Sequence, residues 1–162
     1  MNPASEIIRG RLWAGPMQSI ISENLKELID YGLVCVLSIL PVGNFGFPLD
    51  RIDPKPKAHR VLVTWDDEDL DPERIDYAVH LNVQTLVHCN LGQNRSTALA
   101  ACWLLKHEGW ITHPSINLGD ATAAVVDIVV RARAKTLGAE PRLHAKMIEN
   151  VVRYAEWLKS HA

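Results

Sequence analysis

The chain has 162 residues, 48% of them hydrophobic and 22% charged, with a formal net charge of −2. That length suits one domain, residues 1–162, around one core, and the near-neutral balance excludes binding by bulk charge, so neither nucleic acid nor a membrane surface is an expected partner. Three cysteines at unrelated spacings exclude a disulfide framework and suit a reducing, cytoplasmic setting; no membrane-length apolar run and no leader pattern is read.

In chain order, residues 7–15 (IIRGRLWAG) alternate apolar and polar and predict an edge strand or hairpin. In residues 22–31, Leu25, Leu28 and Ile29 recur at helical spacing, with Ser22 as N-cap and Gly32 as stop. Residues 33–40 are apolar and β-branched, a central buried strand with Cys35 packed inside it. Pro41, Gly43, Gly46, Pro48, Pro54 and Pro56 punctuate a long irregular connection over 41–58, closed by the basic cluster Lys55, Lys57 and Arg60. Residues 60–64 predict another strand, which runs into the acidic stretch WDDEDLD. There Asp71-Pro72 reads as N-cap and first residue of a helix that buries Ile75, Ala78 and Val79.

The chemistry concentrates in residues 86–97, LVHCNLGQNRST. A short apolar run delivers His88 and Cys89 to the end of a buried strand, a loop follows, and Ser96 opens a helix. Backbone amides and the positive end of the helix dipole then converge on one point, a cradle for phosphate-like oxyanions. Cys89 at its floor meets surroundings that favour the thiolate and is the candidate nucleophile. The planar fork of Arg95 suits two oxygens of a phosphoryl group, and Asn90, Leu91, Gly92, Gln93 and Asn94 supply the binding loop. Gly92 permits backbone angles a side chain would resist, Ser96 can hydrogen-bond the sulfur, and His88 supports the loop from behind. Phosphoryl transfer to sulfur also needs an acid for the leaving oxygen, and Asp66, Asp67, Glu68, Asp69 and Asp71 are on offer.

The run His88-Cys89-x-x-Gly92-x-x-Arg95-Ser96 resembles, position for position, the HCxxGxxRS signature of the cysteine-dependent protein tyrosine phosphatase superfamily, most closely its dual-specificity branch. Residues 7–15 resemble the opening of that branch, with Trp13 in its aromatic place. The resemblance implies an α/β fold over the whole chain, a central twisted sheet flanked by helices, and hydrolysis of phosphotyrosine, with or without phosphoserine and phosphothreonine, on proteins or peptides. It implies no cofactor and no metal, and His59, His80, His107, His113, His144 and His161 show no ligand spacing. Asp66 matches the family's general acid; Asp67 rivals it because Trp65-Asp66-Asp67 is similar to the Trp-Pro-Asp of tyrosine-specific enzymes. The helix after Pro72 is shorter than the family's.

The remaining pattern is helical. Leu99, Ala100, Trp103 and Leu104 predict a buried helix over 96–107 with Cys102 in the core, ended by Gly109. Residues 120–135 predict a helix with Val125, Ile128 and Val129 inward; some family members use an arginine from this region on substrate, which makes Arg131 and Arg133 candidates. Residues 141–159 predict a last helix with Leu143, Met147, Val151, Tyr154 and Leu158 as its stripe. Three other readings share the loop. Asn94-Arg95 is similar to part of the RNA 5′-triphosphatase loop, although Leu91 and Ser96-Thr97 depart from it; a phospho-binding module without turnover and a sulfurtransferase would use the same cradle.

Overall fold

The computed structural model describes residues 2–40, 58–65, 69–111 and 115–161. Residues 41–57 of the expected connection, with Lys55 and Lys57, and the candidate acids Asp66 and Asp67 lie outside the described residues. In chain order the elements are β1 (Ser5–Ile8), β2 (Leu12–Gly15), α1 (Ser22–Asp30), β3 (Cys35–Leu40), β4 (His59–Thr64), α2 (Pro72–Ala78), β5 (Thr85–His88), α3 (Arg95–His107), α4 (Leu118–Leu137) and α5 (Ala145–Ser160), with a 3₁₀ turn at Met17–Ile20. The strands form one sheet in the order β1-β2-β5-β3-β4, in which only the β1–β2 pair is antiparallel. Residues 7–15 thus make the expected hairpin, but only β1 is an edge; β2 pairs with β5 and is buried throughout.

Side-chain alternation divides the sheet's two faces. Leu12, Ala14, Cys35, Leu37, Ile39 and Val87 face the larger core, which α2, α3, α4 and α5 cover. Trp13, Val36 and Leu86 face the smaller core with Leu25 and Leu28 of α1. The same alternation sends His88 toward the α1 side and Cys89 toward α3. Helix α3 runs through the middle of the larger core with Ser96 to Leu105 all buried, the buried helix the sequence predicts.

Helix α2 starts at Pro72 as expected, and the other helix starts differ. Ser22 is the first helical residue of α1, and Ile21 stands at the cap without a side-chain bond. Asp71 holds the cap position of α2, yet its carboxylate caps nothing. Asn94 rather than a later residue precedes α3, which begins at Arg95. Helix α5 begins at Ala145, not 141, because the backbone before it is committed to the cysteine loop: Arg142 N–H donates to Gln93 Oε1 (3.1 Å) and His144 N–H to Asn94 Oδ1 (3.0 Å). Among the described residues no helix is long and apolar enough to cross a membrane.

Candidate active site

Parallel pairing of β5 with β2 and β3 carries Cys89 to the carboxyl edge of the sheet, where Cys89 N–H donates to Gly15 O (3.4 Å) and Met17 N–H to Asn90 O (3.0 Å). The chain then turns sharply through Gly92 at φ +70°, the left-handed region that favours glycine. A Cβ there would come within 2.5 Å of Pro16 N and 2.6 Å of Gly15 C, so glycine is required by space as well as by angle.

The turn aims Gly92 N–H at Cys89 Sγ (3.3 Å), and Ser96 Oγ lies 3.3 Å from the same sulfur. Cys89 is 5% exposed, at the floor of a cleft of about 480 Å³ that Leu91, Gln93, Asn94, Arg95, Arg142 and His144 wall in. The Asn94 side chain makes no capping bond to α3, whose first i→i−4 bond is Ala98 N–H to Asn94 O, so the positive helix end faces this cleft. A sulfur, a guanidinium and a helix N-terminus therefore share one opening. The arrangement can hold a tetrahedral oxyanion over a nucleophilic sulfur.

His88 is fully buried behind the loop, and burial pushes its pKa down to about 4, leaving the imidazole neutral at pH 7. Arg60 Nη2 donates to Ser38 Oγ (3.2 Å), and Ser38 Oγ bonds His88 Nε2 at 2.7 Å. With the serine proton directed to Nε2, Nδ1 carries the hydrogen that faces Cys89 O at 3.4 Å. His88 thus steadies the strand end rather than titrating in the cleft.

Each loop residue expected at the site is there, with a division of labour the sequence does not reveal. Asn90 and Leu91 stand at the mouth, Leu91 68% exposed. The side chains of Gln93 and Asn94 fasten the segment before α5, which brings Arg142 and His144 to the rim; neither was a candidate, since their contact is tertiary. Of the two α4 candidates, Arg131 is exposed and paired to Asp127 (2.8 Å), and Arg133 is fully buried beneath the loop, so neither lines the cleft. One signal did exist for Arg133: it continues the stripe of Val125 and Val129 at four-residue spacing.

The segment holding the candidate acids is bounded by fixed points. Trp65 before it and Leu70 after it are buried in the larger core, and Leu70 N–H donates to Asn150 Oδ1 (3.0 Å), a fully buried amide of α5. Asp69 pairs with Lys146 (3.2 Å) and Arg153 (3.0 Å). Cys35 and Cys102 lie in hydrocarbon; burial raises the Cys35 pKa to about 11 and pushes Cys102 still higher. Among the described residues no group of three or more His, Cys, Asp or Glu could hold a metal.

No protein-family model matches the sequence, and no curated protein matches it. Solved structures do. Human tyrosine phosphatase-like serine/threonine/tyrosine-interacting protein is 21% identical, with 98% of this chain and 99% of that one covered at a TM-score of 0.62. Human DUSP28 is 19% identical, with 97% and 95% covered at a TM-score of 0.63. PTPMT1 in complex with PI(5)P is 11% identical, with 98% of each chain covered at a TM-score of 0.74. The chain has the fold of the cysteine-dependent phosphatases. Within that class its five-strand mixed sheet and helices match the dual-specificity architecture.

Proposed function

We propose that residues 1–162 form a single catalytic domain that hydrolyses phosphomonoesters through a phosphocysteine, acting on phosphotyrosine, with or without phosphoserine and phosphothreonine, of proteins in the cytoplasm. The observation that carries this reading is the placement of Cys89 Sγ in an open cleft, 3.3 Å from both Gly92 N and Ser96 Oγ, with Arg95 on the same wall.

In the first step the Cys89 thiolate attacks phosphorus in line, forming the S–P bond as the P–O bond to the leaving group breaks; Asp66, with Asp67 as its rival, gives that oxygen its proton. Arg95 and the loop amides hold the equatorial oxygens, where most of the stabilisation resides. In the second step the same aspartate takes a proton from water, water oxygen bonds phosphorus, and the S–P bond breaks with its electrons returning to sulfur. Ser96 then donates a hydrogen bond to the departing thiolate.

Apart from Arg95 the loop is uncharged, which favours a singly phosphorylated side chain, and exposed Leu91 offers apolar contact to an aromatic leaving group. A phosphoinositide is the second reading, prompted by the PI(5)P complex of PTPMT1 and by Arg142 at the rim of the cleft here. A panel of phosphotyrosine and phosphoserine peptides, phosphoinositides and triphosphate-ended RNA separates these. The expected result is fastest release of phosphate from phosphotyrosine peptides; binding of the panel without any turnover would sink the enzyme reading in favour of a phospho-binding module.

A further inference from the structure

Arg133 is a fully buried cation in the last turns of α4, and its bonds all go to neutral groups. Its Nε donates to Gly92 O (2.9 Å), and its Nη1 to Pro3 O (3.0 Å), Ser5 Oγ (2.9 Å) and Ala14 O (3.3 Å). Among the described residues it has no carboxylate partner, and its Nη2 is buried with no hydrogen-bond acceptor. A guanidinium held out of water with no carboxylate beside it is costly, and buried charges persist where an opposite charge balances them.

The negative charge available is in the cradle. The peptide of Gly92 joins the two: its carbonyl accepts from Arg133 Nε, and its N–H donates to Cys89 Sγ. A Cβ on Gly92 would stand 2.8 Å from Arg133 Nη2, so the guanidinium lies directly against the underside of the loop. We propose that Arg133 is a positioning residue for the anion site: from beneath the loop it fixes the Gly92 peptide and supplies a second, permanently buried positive charge that balances the phosphoryl group bound above. Burial pushes the Arg133 pKa down and negative charge at Cys89 pushes it back up, the coupling this arrangement requires. Arg95 touches the oxyanion from within the cleft; Arg133 never does. The division explains why one helix spends an arginine on a stripe otherwise occupied by valine.

This inference rests on the cradle reading of the same site but not on turnover, so binding of inorganic phosphate tests it separately. Arg133→Met is expected to weaken phosphate binding about ten-fold at a temperature where the variant is folded, and Arg133→Lys, which keeps the charge, about three-fold or less. Unchanged affinity in folded Arg133→Met, or a loss in Arg133→Lys as large as in Arg133→Met, overturns it. If Arg133→Met does not fold, the wild type still decides. The protected Arg133 Nε–H resonance, assigned by its absence in Arg133→Lys, shifts on titration with phosphate if Arg133 senses the bound charge and stays fixed if it does not. Phosphate binding that responds to Arg133 in a protein without turnover would leave this inference standing and remove the enzyme reading alone.

Discussion

Cys89, just before α3, and Cys102, within it, are both nearly or wholly inaccessible, at 5% and 0% exposure. They differ in what surrounds the sulfur. Cys102, halfway along α3, is packed among apolar side chains and no hydrogen bond reaches it among the described residues, so a charge there has nothing to meet it. Cys89, just before α3, meets a backbone amide, a hydroxyl and a helix N-terminus in an open cleft. Burial therefore does not separate the two cysteines; the polar groups aimed at the sulfur do.

The largest way to break this contrast is to exchange the roles. Cys89→Ser should reduce turnover of an aryl phosphate to background while retaining binding of inorganic phosphate, and Cys102→Ala should leave turnover intact; a working Cys89→Ser enzyme would refute the assignment. Next, Asp66→Ala should lower kcat by about 10²–10⁴, with Asp67→Ala much milder, as expected for loss of a general acid. The reverse order would move the acid to Asp67.

Two further tests sharpen the role of the loop behind Cys89. Gly92→Ala places a Cβ against backbone at 2.5 Å and at φ +70°, and should cost about 3 kcal/mol in chemical denaturation along with most activity. His88 has a folded-state pKa of about 4, below its unfolded value of 6.5, so between those pH values the unfolded chain binds more protons. Its contribution is whole above pH 6.5 and is lost as pH falls toward 4, worth about 3 kcal/mol across the window. The His88→Asn variant should lack that dependence; the same slope in the variant would assign it to another group.

The residues that carry the proposed chemistry were legible because their geometry is local. A strand, a six-residue loop and a helix start fix Cys89, Gly92, Arg95 and Ser96 relative to one another within one stretch of chain, and continuous apolar runs were enough to mark β3 and β5 as buried strands, which pair with each other inside the sheet. What escaped was tertiary. Arg133 meets Gly92 across 41 residues, and only its place on the valine stripe betrayed that it points inward. Arg142 and His144 reach the rim because Gln93 and Asn94 capture their amides, which also delays the start of α5; helical periodicity sees side chains and is blind to such backbone commitments. Asn150, interrupting the apolar stripe of α5, is explained only by the Leu70 amide it receives from the other side of the core. The cap of α1 was misplaced by one residue, because Ser22 makes no capping bond and is itself the first helical residue, whereas Asp71 stands at the cap of α2 as read without its carboxylate bonding the helix end.

The central claim is that phosphorus passes through the Cys89 sulfur. Rapid acid quench of wild-type protein during turnover of an aryl phosphate, followed by peptide mass spectrometry, tests it directly. A phosphoryl adduct on the peptide that contains Cys89, accumulating further in the Asp66→Ala variant when a good leaving group is used, is the predicted result. Steady turnover with no adduct on that peptide, or an adduct on any other residue, would contradict it.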